Sequence, residues 1–152
     1  MVTLYVSAER AIAVPAEVAY RCIADYRQHH PHILPPIFSD LQVEEGGVGA
    51  GTVIAAKAKV AGRTQVFRQR VAEPEPGRVL TESTIGRDQV TTFTVTPDGA
   101  GCRVRIETVW QPVRGVAGVT ERLFMPRFLQ RQYTDELGRL DRYAREQAGG
   151  AV

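Results

Sequence analysis

Residues 12–26 read Ile12-Ala-Val-Pro15-Ala-Glu-Val-Ala-Tyr-Arg-Cys-Ile-Ala-Asp25-Tyr26, and they are more informative about the fold than any other part of the chain. Alternating apolar residues up to Val14 predict a strand that begins near residue 2. Pro15 predicts the first turn of a helix, because its fixed φ suits that position and its missing N–H would have no partner there. The helix is predicted to end near Tyr26, where the Asp25 side chain is expected to bind the neighbouring backbone.

A proline-rich tract, residues 29–36, follows this helix and contains Pro31, Pro35 and Pro36. Each proline disfavours helical backbone in the residue before it, so the tract cannot continue as a long helix. We predict a short second helix or a lid-like loop.

The middle of the chain, residues 38–113, is predicted to form consecutive strands. Turn signals separate them, such as Ala61-Gly62 and the proline- and glycine-rich segments 74–77 and 97–101. Spacers this short join antiparallel neighbours, because a parallel connection needs about a dozen residues or more. The predicted strands cover residues 38–45, 51–61, 63–73, 78–86, 89–97 and 102–112.

The last stretch, residues 115–147, has helical spacing. Its apolar stripe recurs every three or four residues and contains Leu129, Tyr133, Leu137, Leu140 and Ala144. Pro126 is predicted to kink or divide this helix, because its ring clashes with the carbonyl of Arg122 and removes one hydrogen bond.

This order of elements, together with the segment from Ile12 to Tyr26, resembles the START-like (SRPBCC) superfamily of polyketide cyclases, dehydrases, aromatases and lipid-transfer proteins. The resemblance covers essentially the whole chain. It implies an α+β helix-grip, Bet v 1-like fold, in which a curved seven-stranded antiparallel sheet surrounds the long C-terminal helix. The chain length fits one domain, over residues 1–148, and the final Gly-Gly-Ala-Val, 149–152, is predicted to be a frayed tail. One departure is His29-His-Pro-His32, where many relatives carry a tryptophan, and it predicts a more polar pocket mouth.

Strand alternation predicts which side chains face the helix. Ala56 and Ala58 are small for an inward face, which indicates a cavity unless Phe128 or Tyr133 fills the volume. The pattern leaves both alternatives open. The residues expected to contact a ligand are Tyr26, His30, Ile54, Ala56, Phe67, Gln69, Phe93, Ile106, Thr108, Trp110, Phe128 and Tyr133.

Composition and charge exclude several classes of protein. A net charge of +2 without a basic block does not favour a nucleic-acid partner, and no stretch approaches the length of a transmembrane helix. No secretory signal is visible at the N-terminus. Cys22 lies on the apolar stripe of the first helix and is expected to be a small buried residue. We therefore expect a cytoplasmic protein without a cofactor, either a monomer or a weak homodimer.

The three histidines are the first candidates for chemistry. His29, His30 and His32 share one loop, but their spacing is unlike that of zinc ligands, so no structural metal is predicted. A histidine titrates near neutral pH, so His30 is a candidate general base, and Tyr26 is the other candidate proton shuttle. Glu107 shares its strand face with arginines and is predicted to form a surface ion pair. The alternation indicates no pair of inward carboxylates.

These observations favour binding or transport of a hydrophobic small molecule of lipid, polyketide or isoprenoid type, with a few polar groups setting its orientation. The alternative is a polyketide cyclase or dehydratase in which positioning supplies most of the rate. A third class is an interaction protein with a filled interior, which would show an exposed apolar patch and no cavity. The sequence identifies neither the ligand nor a catalytic residue.

Overall fold

The computed structural model describes residues 2–150. Seven strands form one sheet in the order β1-β7-β6-β5-β4-β3-β2, and every neighbouring pair is antiparallel. The predicted helix-grip, α+β fold is confirmed. The elements are β1 (Leu4–Ile12), α1 (Ala16–Ala24), a 3₁₀ turn (His30–His32), β2 (Phe38–Glu45), β3 (Val53–Val60), β4 (Arg63–Glu75), β5 (Val79–Thr84), β6 (Gln89–Asp98), β7 (Gly101–Trp110) and α2 (Val116–Gly150).

The turn between β3 and β4 sets the register of the strands that later carry the site. Val60 pairs with Arg63, so only Ala61 and Gly62 lie in the turn. Both have positive φ, 52° and 77°, as a two-residue type I′ hairpin requires. This turn places Ala56 opposite Phe67, on the inner face of the sheet.

The core lies between the sheet, α1 and the C-terminal half of α2. Val95, Val104 and Ile106 from the sheet are fully buried there, together with Leu137 and Leu140 from α2. An ion pair also attaches α2 to the edge strand, because Arg10 of β1 contacts Asp141 with a nitrogen to oxygen distance of 2.8 Å. The C-terminal half of α2 is therefore held firmly against β1 and α1.

The long helix differs from its prediction in two ways. Pro126 lies inside one continuous helix, so of the two predicted effects the division is wrong and the kink stays a prediction. The segment around it, including Arg122 and Leu123, is exposed, so water can solvate the carbonyl that the proline leaves without a partner. The helix also continues through Gly149 and Gly150, where the sequence predicts a frayed tail. The rest of that tail, 151–152, lies outside the described residues.

Two further expectations concern the cysteines and the membrane. Cys22 and Cys102 are buried and free, which confirms that Cys22 is a small buried residue of the core. Within residues 2–150, no helix combines the length and the apolar character needed to cross a bilayer.

Candidate functional site

A cavity of about 360 Å³ lies between the inner face of the sheet and the middle of α2. The inner face of β3 contributes Ile54, Ala56 and Ala58 to its wall. Phe128 and Tyr133 line the opposite side without filling the space that the alanines leave. Of the two alternatives that the sequence left open, the structure therefore has the open cavity.

The residues expected to contact a ligand fall into two groups. Those that line the cavity are His30, Ile54, Ala56, Phe67, Gln69, Phe93, Phe128 and Tyr133. Tyr26, Ile106, Thr108 and Trp110 lie behind this layer and do not form part of the wall. Alternation predicted the correct face of the sheet for the strand residues. It does not predict depth: Ile106 and Trp110 of β7 lie in the hydrophobic core, and β7 contacts α1 rather than the cavity.

Trp110 instead helps to attach the front of α2 to the sheet. Its Nε1–H donates to Oε1 of Glu121 at 2.9 Å, and the backbone N–H of Val113 donates to the other carboxylate oxygen at 3.1 Å. Arg87 also donates to Glu121. The carboxylate of Glu121 thereby joins the end of β7, the loop after β5 and the first turns of α2.

His30 is buried, with 2% of its surface exposed, rather than placed on an open rim. Its Nδ1 lies 2.7 Å from the carbonyl oxygen of Ile23, and since a carbonyl can only accept, Nδ1 carries the proton. Burial lowers the pKa of His30 to about 4, although the bond to Ile23 acts in the opposite direction. At neutral pH the ring is therefore uncharged and its Nε2 can accept a proton or a hydrogen bond.

The other two histidines point elsewhere. His29 Nδ1 lies 2.7 Å from the hydroxyl of Tyr143, and the ring of His32 stacks on the same tyrosine at 5.0 Å. Among the residues that the structure describes, no group of three potential ligands is arranged to hold a metal ion. The three imidazoles therefore do not converge on one centre.

Glu82 of β5 and Glu136 of α2 are the functional candidates that the sequence reasoning missed. They are only 6% and 4% exposed, and both line the cavity. The expectation that no two carboxylates point inward is wrong. Two signals were present: Glu82 has the same strand parity as buried Leu80, and Glu136 lies three residues beyond Tyr133 on the apolar stripe of α2.

The environment of these two carboxyl groups keeps them protonated. Burial raises the pKa of Glu82 to about 8, and burial followed by repulsion from Glu82 raises the pKa of Glu136 well above its usual value. In residues 2–150, no hydrogen bond of normal geometry reaches either carboxyl group. The hydroxyl of Tyr26 lies beside Glu82 and partly offsets its pKa rise, but the contact falls outside hydrogen-bond geometry, and that hydroxyl has no described partner.

A second polar group lies next to the carboxyls on the wall. The hydroxyls of Thr91 and Thr108 are 2.7 Å apart, and Thr108 also bonds the hydroxyl of Tyr133. Burial raises the pKa of Tyr133 to about 12, so the phenol stays protonated. Thr108 thus acts through Tyr133, which it orients on the cavity wall.

Two expectations for residues outside the cavity are confirmed. Asp25 Oδ1 accepts hydrogen bonds from the backbone N–H groups of Arg27 and Gln28, at 3.0 and 2.9 Å. Glu107 pairs with Arg105 at 3.3 Å on the outer face of the sheet. Neither carboxylate is part of the candidate site.

Comparison with known proteins gives the same fold. A family model described as polyketide cyclase/dehydrase and lipid transport matches residues 3–145. The NMR structure of KanY protein is 29% identical, covers 95% of this chain and 99% of its own, and has a TM-score of 0.83. A protein from Thermus thermophilus is 21% identical, with coverage of 95% and 99% and a TM-score of 0.80. The Zhui aromatase/cyclase from Streptomyces sp. R1128 is 18% identical, with coverage of 97% and 96% and a TM-score of 0.80. No curated protein is significantly similar in sequence.

Proposed function

The chain belongs to the polyketide cyclase/dehydrase and lipid transport family, and on that premise we propose that it binds a hydrophobic small molecule of lipid, polyketide or isoprenoid type. The observation that supports this proposal is the cavity of about 360 Å³ between the sheet and α2. Its size falls in the range of small-molecule sites, roughly 300–1,000 Å³. Most of its lining residues are apolar, as is typical of such sites.

The front half of α2 provides a route into the cavity. Leu123 is 78% exposed and Phe124 is 46% exposed, while their neighbours Met125 and Phe128 line the interior. Phe124 stacks on Phe128 with ring centroids 5.4 Å apart, so an apolar contact joins the exposed side of this helix to the cavity wall. A pure interaction protein would have a filled interior, so the cavity does not favour that class.

A second function, catalysis of cyclisation or dehydration, is favoured by one arrangement of groups. Neutral His30, which has a free Nε2, and protonated Glu82 line the same cavity. A base and an acid that are both in the required state at neutral pH can move a proton from one position on a substrate to another. In this alternative His30 accepts the proton and Glu82 donates one.

The first experiment is native mass spectrometry of the purified protein. We expect an apolar molecule to co-purify and to be released on unfolding. A mass equal to that of the bare chain in every preparation, together with no binding of a neutral apolar dye, would contradict the proposal.

The second experiment separates a carrier from an enzyme. The co-purified molecule, once identified, is incubated with the parent protein and with His30→Ala, Glu82→Gln and Tyr26→Phe. Turnover that falls by about 100-fold or more in the first two variants, the usual effect of losing a general base or acid, supports catalysis. Binding without turnover in the parent supports a carrier. Tyr26→Phe is the variant with which the other two are compared, because Tyr26 lies behind the cavity wall and not on it.

A further inference from the structure

We propose that the ligand presents a protonated amine to the Glu82 and Glu136 carboxyl groups at the polar end of the cavity. This inference rests on the proposed binding function and names the chemical class of its ligand. The two side chains come from opposite walls, since Glu82 is on β5 and Glu136 is on α2. Both are more than nine-tenths buried, and both line the cavity without a hydrogen-bond partner of normal geometry in residues 2–150.

Two buried carboxyl groups without a hydrogen-bond partner are unusual, because buried polar groups are normally satisfied and each carboxyl can ionise only beside a cation. Arg87 is the one cationic side chain on the wall among the described residues, and its guanidinium is bound to Glu121. Lys57 and Lys59 point outward from β3, and Lys57 pairs with Asp40 at 3.3 Å. The fold therefore leaves the acid pair without a base, and a ligand is the remaining source of one.

The other polar groups at this end also suit a donor ligand. His30 Nε2 is an acceptor, and the hydroxyl of Tyr26 lies close behind Glu82. An ammonium group has three N–H donors, which match two carboxyls and one further acceptor. A fatty-acid carboxylate would find no free cation at this end and would repel either carboxyl group when it ionises, so it is the least suitable head group.

Other titratable groups that face the acid pair do not alter this conclusion. They are Tyr26 at the end of α1, His30 from the 3₁₀ turn, Arg87 after β5 and Tyr133 from α2. Asp135, next to Glu136 in α2, is exposed and pairs with Arg139 at 3.0 Å. The tyrosines with raised pKa and neutral His30 carry no charge at pH 7. Arg87 is paired with Glu121, so the described residues at this end provide no free cation for the acid pair.

Proton release on binding distinguishes an amine from a neutral ligand. Below about pH 8, the pKa of Glu82, the empty pair is mainly protonated. An ammonium ligand favours the carboxylate form, so binding expels a proton and the affinity rises with pH. A neutral ligand that accepts hydrogen bonds from the acids has the opposite dependence, since its affinity is flat below that pH and falls above it.

The test compares three naphthalene probes that differ only in the head group: naphthylethylamine, naphthylethanol and naphthylacetate. Isothermal titration calorimetry in buffers near pH 6, 7 and 8 measures their affinities, and buffers of different ionisation enthalpy count the protons released. We expect the amine to bind at least about tenfold more tightly than the alcohol near pH 8, and its affinity to rise by up to about tenfold per pH unit, the limit for one linked proton. The acetate should bind most weakly.

Glu82→Gln and Glu136→Gln assign the effect to these residues. Each variant should lose the preference for the amine over naphthylethanol and the pH dependence of amine binding. Glu146→Gln is the matched control, because it makes the same change at an exposed position of the same helix. If a variant does not fold, the comparison of probes with the parent protein still decides.

The outcomes separate this inference from the function on which it rests. Equal binding of the amine and the alcohol, or an amine affinity that does not change with pH, would overturn the inference and leave the binding function intact. If none of the three probes binds, the binding function fails and the inference fails with it.

Discussion

The imidazole ring of His30 stacks on the phenol ring of Tyr26, with centroids 4.4 Å apart and planes inclined by 20°. The same imidazole meets the edge of Phe93 at 6.0 Å and donates its Nδ1 proton to the carbonyl of Ile23. Three contacts thus hold one edge of the ring in the core while the residue lines the cavity. This arrangement keeps His30 uncharged, and it has a measurable consequence for stability.

Acid should destabilise the protein through His30. The pKa of His30 is about 4 in the folded protein and about 6.5 as its ordinary value, so the unfolded chain binds the proton first. The stabilisation is complete above about pH 6.5 and is lost as the pH falls towards 4, by up to about 1.4 kcal/mol per pH unit. Urea unfolding of the parent and of His30→Phe from pH 7 to 4 measures this loss, which the variant should lack.

His32→Phe is the control for that experiment, because His32 is exposed and its stack on Tyr143 can be kept by phenylalanine. It should retain the acid sensitivity of the parent. An NMR titration in which His30 gains its proton near pH 6.5 would contradict the prediction directly.

Glu82 should make the free energy of unfolding depend on pH in the opposite direction. Its pKa is raised from 4.5 to about 8, so the folded protein holds a proton that the unfolded chain releases. The stability is greatest below about pH 4.5 and declines as the pH rises to 8, by up to about 1.4 kcal/mol per pH unit. Glu82→Gln should therefore differ little from the parent near pH 5 and be more stable near pH 9, by urea unfolding.

Glu75→Gln is a suitable comparison for this variant, since Glu75 is exposed on the neighbouring strand β4. It should follow the parent at every pH. A Glu82→Gln variant that is less stable than the parent at pH 9 would show that the carboxyl is ionised in the folded protein.

Filling the cavity should abolish the binding of an apolar probe. Ala56 is buried and lines the wall, so phenylalanine at this position projects into the empty volume. Ala56→Phe should reduce the affinity for the neutral dye Nile red by about tenfold or more, a change of about 1.4 kcal/mol. Ala55→Phe makes the same substitution one residue earlier, where the side chain points to the opposite face. Equal dye affinity in both folded variants would place the binding surface elsewhere.

A glycine loop between β2 and β3 should tolerate alanine at one position and not at another. A Cβ at Gly49 would collide with Oε1 of Glu73, which already accepts a 2.7 Å bond from the Ala50 N–H, whereas a Cβ at Gly51 meets nothing within 4 Å. Both residues have positive φ, 67° and 89°, so alanine costs about 1 kcal/mol at either. Gly49→Ala should cost about 1–3 kcal/mol more, because it also displaces the half-buried Glu73 carboxylate from its bonds to Ala50 and Tyr20.

Thermal and urea unfolding of the two glycine variants provide the measurement. Equal destabilisation by the two substitutions would show that Glu73 can move aside without a penalty. In that case the bond from the hydroxyl of Tyr20 to Glu73, at 2.6 Å, would not anchor the loop to α1.

The elements of the fold could be predicted because each depends on short-range preferences. Pro15 favours a helix start through its own φ, and Ala61-Gly62 favours a tight hairpin through positive φ. Alternation along a strand also depends only on neighbours within a few residues, and it places Phe67, Gln69 and Phe93 on the inner face. These properties belong to the local chain, so they can be recognised before any tertiary contact is known.

The candidate site depends on where α2 lies relative to the sheet, which no local pattern encodes. Ala56 leaves space only because Phe128 and Tyr133 stop short of it, and Trp110 is excluded from the wall because it bonds Glu121 instead. Glu82 has the strand parity of an inward residue, and Glu136 has the helical spacing of one. Only the packing of α2 brings them into one cavity. Depth, proximity and protonation state arise from contacts between residues that are far apart in the chain, and these contacts form only when the whole domain is packed.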